Sequence, residues 1–370
     1  IPPAIDTVLI NGNNGVDIYF TEEVEITSAE DISHYQIQLG NIYPTYAIRD
    51  MSRPEIVHLT FSFSFSDRVN YDLFLTGVKD LSGITMNDTI VRVVRYVPMP
   101  YDIIIDEIMA DPSPSNGLPD VEWLEIRNAS PFDINIVGWK LCKGASSSGP
   151  FRNMILKPDS FLVICSSGSL VALSSWCSPQ SVTYFPSLSN AGDLISLVSD
   201  DGRSIHAVHY SDEWYHNELK KQGGWSLEMI DINNPCAGID NWTASASFIG
   251  ATPGRINSAD AVNLDVSSPS LLRAYATDSV HVMLIFNEPM DSAGAMNNNQ
   301  YRIDNLIGIP DAVLPLGPLF DRILLTTHVS LSRNVIYNIT AEGLKDCVSN
   351  SLSGKNQVRF ALDSEPDSFD

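Results

Sequence analysis

Residues 16 to 80 recur, without a gap, 266 positions further along the chain. Phe20 and Glu22 match Phe286 and Glu288, Tyr35 and Ile37 match Tyr301 and Ile303, and Pro44 matches Pro310. Leu59, Thr60 and Tyr71 find Leu325, Thr326 and Tyr337, and Gly77-Val-Lys-Asp80 finds Gly343-Leu-Lys-Asp346. A fixed offset held over this length means that two stretches fold alike. Alternation says what they fold into. Val57, Leu59, Phe61, Phe63 and Phe65 point one way, and His58, Thr60, Ser62, Ser64 and Ser66 the other. Val16, Ile18 and Phe20 repeat that period of two, as do Val282, Leu284 and Phe286. Such a pattern belongs to half-buried strands, so each flank is expected to be an antiparallel sandwich.

Between the copies lies a different stretch, 101–258, holding all six tryptophans and four of the five cysteines. Pro98-Met-Pro100 forms a short stiff link ahead of it, because proline fixes its own φ and biases its predecessor toward extended backbone. Strand-like runs again dominate, and Asp201-Gly202 marks a hairpin.

Two resemblances follow from these residues. Phe-Thr-Glu-Glu-Val (20–24) and Phe-Asn-Glu-Pro-Met (286–290), with the late Gly-Val/Leu-Lys-Asp, resemble bacterial Ig-like domains of the S-layer type. In the middle, Ile-Asp-Glu-Ile-Met-Ala-Asp-Pro (105–112), Glu-Trp-Leu-Glu-Ile-Arg-Asn (122–128), Gly-Trp-Ser-Leu-Glu (224–228) and Thr-Pro-Gly (252–254) resemble the lamin tail domain as bacteria carry it. The resemblance implies an Ig-like β-sandwich found in secreted or surface-attached proteins, with no catalytic residues to carry over. The expected architecture is all-β: three consecutive β-sandwich domains over 1–98, 101–258 and 264–363, the first and third homologous.

Charge narrows the partners. With 45 acidic and 22 basic residues the net charge is −23, which repels phosphate backbones, so nucleic acid is not an expected partner. No apolar run approaches the ~18 residues of a membrane span. Any export signal is expected to lie upstream of Ile1. There is no Gly-x-Ser-x-Gly elbow, no His-Glu-x-x-His and no phosphate-binding Gly-rich loop. His34, His58, His281 and His328 are too scattered for a copper site.

Several residues invite closer reading. Trp176 and Trp214 sit in polar, loop-like surroundings and are candidates for a ligand-stacking surface, against ordinary core or staple roles. Asp111, Asp120 and Glu122, with Asp106, Glu107 and Glu125 nearby, could converge on Ca²⁺, although no EF-hand spacing supports them. Ca²⁺ is thus the one cofactor considered. His206 and His209 stand three apart on a strand and face opposite sides. In an oxidising compartment the expected disulfides are Cys177–Cys236 and Cys142–Cys165, with Cys347 unpaired; five buried thiols are the alternative. Asp-Ser/Thr-apolar triplets mark Thr7, Thr89, Ser279 and Ser292 as candidate O-glycosylation sites.

The functional expectation is a non-catalytic, monomeric modular protein, secreted, periplasmic or on the cell surface. It would act in adhesion, scaffolding or ligand binding, with protein or glycan partners. The alternatives are a carbohydrate-binding accessory protein, perhaps assisted by Ca²⁺, and the non-catalytic part of a secreted hydrolase or nuclease.

Overall fold

Strands carry nearly all the regular structure in the computed structural model, which describes residues 1–152 and 154–362. The chain divides into two compact units, Ile1–Pro98 with Phe132–Asn135, and Met99–Pro131 with the chain from Ile136 onward. Asp363, the last residue of the expected third domain, lies outside the described residues.

In the first unit one sheet runs Ile5–Asn11, Gly15–Phe20, Ile56–Thr60, Tyr46–Arg49. A second runs Tyr35–Ile37, Asn70–Leu75, Thr89–Val94. Val16, Ile18, Leu59, Phe61, Leu73 and Leu75 fill the space between. The long alternation at 57–66 is only partly a strand. Ladder hydrogen bonding ends at Thr60, and Phe61 and Phe65 hang by their N–H groups from the carbonyls of Asn14 and Asn13. Their rings pack edge to face, so burial preserves the period of two where the ladder is gone.

The C-terminal part of the second unit repeats this topology strand for strand, as Leu271–Ala276, His281–Phe286, Arg322–Thr326, Ala312–Leu316 and Tyr301–Ile303, Ile336–Ala341, Gln357–Ala361. The repeat reaches individual bonds. Tyr35 donates its hydroxyl to the Ala29 carbonyl, and Tyr301 to that of Ala295. The N–H groups of Ser82 and Ile84 donate to Asp80, and those of Val348 and Asn350 to Asp346. Even the bulge in the first strand recurs, between Ile5 and Thr7 and between Leu271 and Arg273.

The preceding part of that unit packs a six-stranded sheet and a four-stranded one. The first has the order Gln180–Val182, Phe161–Ser166, Trp123–Asn128, Ile103–Met109, Leu227–Met229, Trp242–Ala244. The second has the order Ser146–Ser147, Lys140–Lys143, Gly192–Val198, Ser204–Ser211. Every residue of Ile103–Met109 and Trp123–Asn128 is buried. Both faces of the central strand pair are therefore covered, and any polar side chain there needs a partner inside the protein.

The disulfide expectation is corrected. Cys236 pairs with Cys347, Cα atoms 6.4 Å apart, and Cys142, Cys165 and Cys177 are thiols. Cys142 and Cys165 belong to different sheets, on Lys140–Lys143 and Phe161–Ser166. Burial pushes the Cys165 and Cys177 thiols up to about 11. The partner of Cys236 comes instead from the repeated domain, which the reading within 101–258 could not supply.

Candidate functional site

Three carboxylates stand side by side across three adjacent strands. Glu107 pairs in register with Glu125 on one side and with Glu228 on the other. All three are completely buried. Like charges directly opposite one another oppose sheet formation, so something must compensate, and the segment 250–259 does. Glu107 accepts from the Ser226 hydroxyl (2.5 Å) and the Thr252 N–H (2.8 Å). The Thr252 hydroxyl lies 3.2 Å from Glu107 and 2.9 Å from Glu228. Glu228 also accepts from the Ser258 hydroxyl and the Ala259 N–H, and Glu125 from the Gly254 N–H. Gly250 lets this segment lie flush. Its φ is +90°, and a Cβ there would run into the Gly224 carbonyl.

Asp106 sits at the bulge between Ile105 and Glu107. It is fully buried and neither of its oxygens has a hydrogen-bond partner. Burial pushes it up to about 7, against the pull of Arg127. Burial also raises Glu107 and Glu125, each reinforced by a neighbouring carboxylate. His206 is buried with Nδ1 accepting from the Ile105 N–H (2.8 Å), so Nε2 carries the proton and donates to the Pro235 carbonyl (3.1 Å). Burial pushes His206 down to about 4.

This arrangement has a pH signature. An acid whose folded pKa exceeds its unfolded value keeps its stabilising share below the unfolded pKa and loses it as pH rises through the folded one. His206, with its folded pKa depressed, opposes that trend only below its unfolded value, about 6.5. Between about pH 6.5 and 8 the acids act alone, each worth up to about 1.4 kcal/mol per pH unit. All six tryptophans lie in the second unit, so tryptophan-monitored melting should show its Tm dropping by several degrees across that window. A flat or rising Tm would contradict buried, neutral acids.

The same unit contains an open cleft of about 550 Å³, within the ordinary range for a small-ligand site. Tyr101, His209, Trp214, Trp242, Pro289 and Phe320 contribute to its walls, and Asp265, Glu288 and Asp321 contribute acids. Trp214, on the 3₁₀ turn Asp212–Tyr215, leans on Trp242 with ring centroids 6.0 Å apart. Gly238, at φ +56°, lies under the Trp214 ring. The disulfide cysteine Cys236 is part of the wall.

The residues singled out earlier separate. Trp214 lines the cleft but is only 9% exposed, so it is a wall rather than an open platform. Trp176 is exposed and lies outside the cleft lining, just after the helical turn Leu170–Leu173. Trp225 is half-buried under the Lys220 ammonium, 4.3 Å from its ring centroid. His206 is buried and His209 exposed, on opposite faces of their strand. Asp111, Asp120 and Glu122 are not brought to one point. Glu122 accepts from the Leu188 N–H (3.1 Å) and Asp111 lies near Tyr215, while Asp120 is exposed. The expected Ca²⁺ set is thus split, because Glu107 and Glu125 turn into the core while Glu122 stays half-exposed. Among the candidate glycosylation sites Ser279 is exposed, Thr89 and Ser292 are half-buried, and Thr7 is buried at the bulge of its strand. That burial removes Thr7 as an acceptor in the folded protein.

Among the described residues one group of three metal-type side chains converges: Asp265, Glu288 and Asp346, with ligand atoms within 4.8 Å of one another. The sequence reading missed it. The repeat names Glu288 and Asp346 as counterparts of Glu22 and Asp80, which was the available signal. Asp265 lies before the repeated stretch, and only the fold brings it in.

Glu107, Glu125 and Glu228 thus meet in one buried layer. A family model matches part of the segment that carries it. Residues 98–212 match the Lamin Tail Domain. Glu107 and Glu125 lie inside that match, and the 250–259 loop that donates to them lies beyond it. No curated protein matches the chain. Among solved structures, the N-terminal part of the bacterial S-layer protein SbsC is 12% identical, with TM-score 0.30, over 57% of this chain and 44% of that one. A longer SbsC structure is 11% identical, with TM-score 0.27, over 99% and 55%. A Bacteroides ovatus mixed-linkage glucan utilization locus protein, SGBP-B, solved with a mixed-linkage heptasaccharide, is 10% identical, with TM-score 0.16, over 100% and 76%. The chain thus spans about half the length of the S-layer structures it matches.

Proposed function

We propose that this protein is a non-catalytic modular binding protein, exported or held at the cell surface, and that the cleft beside the lamin-tail segment is where it takes its ligand. The cleft carries the reading. Its walls combine the strand Ser204–Ser211, the turns around Trp214 and Cys236, and the linker 263–267, with Cys236 covalently bound to Cys347. A disulfide also fits an oxidising compartment. Rings of Tyr101, Trp214 and Phe320 beside carboxylates suit a hydroxyl-rich ligand such as a glycan, which offers apolar ring faces and hydrogen-bond donors together.

Catalysis is a poorer fit. Glu107, Glu125 and Glu228, the clustered acids, are sealed from solvent and engaged with their own loop, whereas a general acid must reach its substrate. Glu288 does face the cleft, and burial with two like charges nearby pushes it up to about 7. Its neighbours Asp265 and Asp346 converge on it with oxygens within 4.8 Å of one another, an arrangement that suits holding a cation.

The test is a glycan array followed by calorimetry on the best ligand, with Phe320→Ala and Asp321→Asn compared to wild type. Each is expected to weaken binding at least about tenfold, or roughly 1.4 kcal/mol. Equal binding by both variants would remove the cleft from the reading. Release of reducing sugar from that ligand would replace it with a hydrolase.

A further inference from the structure

We infer that Asp265, Glu288 and Asp346 form a Ca²⁺ site that pins the segment following the lamin-tail domain to the C-terminal domain. Asp346 is 1% exposed; its Oδ1 accepts from the N–H groups of Val348 (2.9 Å) and Asn350 (2.8 Å). Its Oδ2 is buried and has no hydrogen-bond partner. A carboxylate oxygen in that position is costly unless a proton or a cation meets it. Two more carboxylates, Asp265 and Glu288, bring oxygens within 4.8 Å. Among the described residues none of the three is in an ion pair with Lys, Arg or His. Three acids so close, with one oxygen orphaned, are what a bound cation would resolve.

The donor set selects the ion. Oxygen donors without His or Cys suit a hard cation. Ca²⁺ accepts six to eight oxygens in flexible geometry, whereas Mg²⁺ demands a near-ideal octahedron. Asp265 and Glu288 also border the cleft, which leaves room for waters in the remaining positions. The Asp265 backbone is already tied in, its carbonyl accepting from the Asn350 side chain (3.2 Å). Cys347, next to Asp346, carries the disulfide to Cys236. Cation and disulfide would therefore fasten the same corner.

The chain contains its own control. Asp80 holds the equivalent turn with the same two N–H bonds, and Glu22 stands where Glu288 does. Asp80 nevertheless belongs to no converging group of metal-type side chains among the described residues. The inference stands whether or not the cleft binds a glycan.

Calorimetric Ca²⁺ titration of the full chain, paired with melting curves, tests it. Wild type should bind one Ca²⁺ with Kd on the order of 10⁻⁴–10⁻³ M, as in extracellular modules, and its Tm should rise with Ca²⁺. Asp265→Asn and Glu288→Gln should each weaken binding at least about tenfold, one charge-bearing ligand being lost, and Asp80→Asn should leave it unchanged. Without Ca²⁺ both site variants should melt no lower than wild type, since each removes repulsion; this separates a lost ligand from a damaged fold. No one-to-one binding up to millimolar Ca²⁺, or binding untouched by Asp265→Asn and Glu288→Gln, would overturn the proposal.

Discussion

Glu107→Ala is expected to lower the stability of the second unit by about 3–5 kcal/mol. The truncation leaves the Ser226 hydroxyl and the Thr252 N–H without their acceptor in a sealed environment, and each such group costs about 1–3 kcal/mol. A small cavity adds to that. Glu107→Gln should behave differently. Its carbonyl oxygen can still accept from Ser226 and Thr252, while its amide can donate to the Thr252 hydroxyl, which remains free to donate to Glu228. The glutamine mimics the neutral acid, so near pH 5 it should be close to wild type, and near pH 8 more stable, because no ionisation cost is left to incur. Urea denaturation followed by tryptophan fluorescence at both pH values measures this. Alanine within about 1 kcal/mol of wild type, or glutamine as damaging as alanine, would mean that the layer is not held as described.

Replacing Cys236 and Cys347 together by serine is the other large effect. The bond closes a loop with a sequence separation of 111. For a loop near 100 residues the chain-entropy estimate is about 4.7 kcal/mol. The double variant should therefore unfold at clearly lower urea, and wild type treated with a reductant should fall to the same midpoint. Replacing Cys142, Cys165 or Cys177 by serine should give no additional response to reductant, because these are thiols already. An unchanged midpoint for the double variant would show that the packing of the lamin-tail segment on the C-terminal domain suffices by itself.

What could be read before any coordinates depended on range. Alternation along a strand is local, so Val16-Asp-Ile18 and Val282-Met-Leu284 announced a buried face without any knowledge of their neighbours. Matching Asp80 to Asp346 required only counting, and their backbone partners proved identical. Pairing is not local. Nothing in the order of residues says that Glu107 lies between Glu125 and Glu228, since register is fixed by the whole sheet. The acids of 106–125 were therefore read as one group when the sheet sorts them to two sides. Cys347 lies outside the cysteine-rich stretch in sequence, yet the fold returns it to Cys236. Asp265 sits in a linker, where no periodicity marks a residue that only the fold brings to Glu288 and Asp346.

The Cys236–Cys347 bond also decides how this chain would answer a pull. Tension entering upstream of Cys236 and leaving downstream of Cys347 crosses a single covalent bridge, which bypasses the backbone between them. Fully extended, that bypassed loop of 111 positions would add roughly 370 Å of slack. With the bridge intact that slack stays locked away, and the load passes on to the strand Gln357–Ala361, which lies downstream of Cys347 and is held by its hydrogen bonds to Ile336–Ala341.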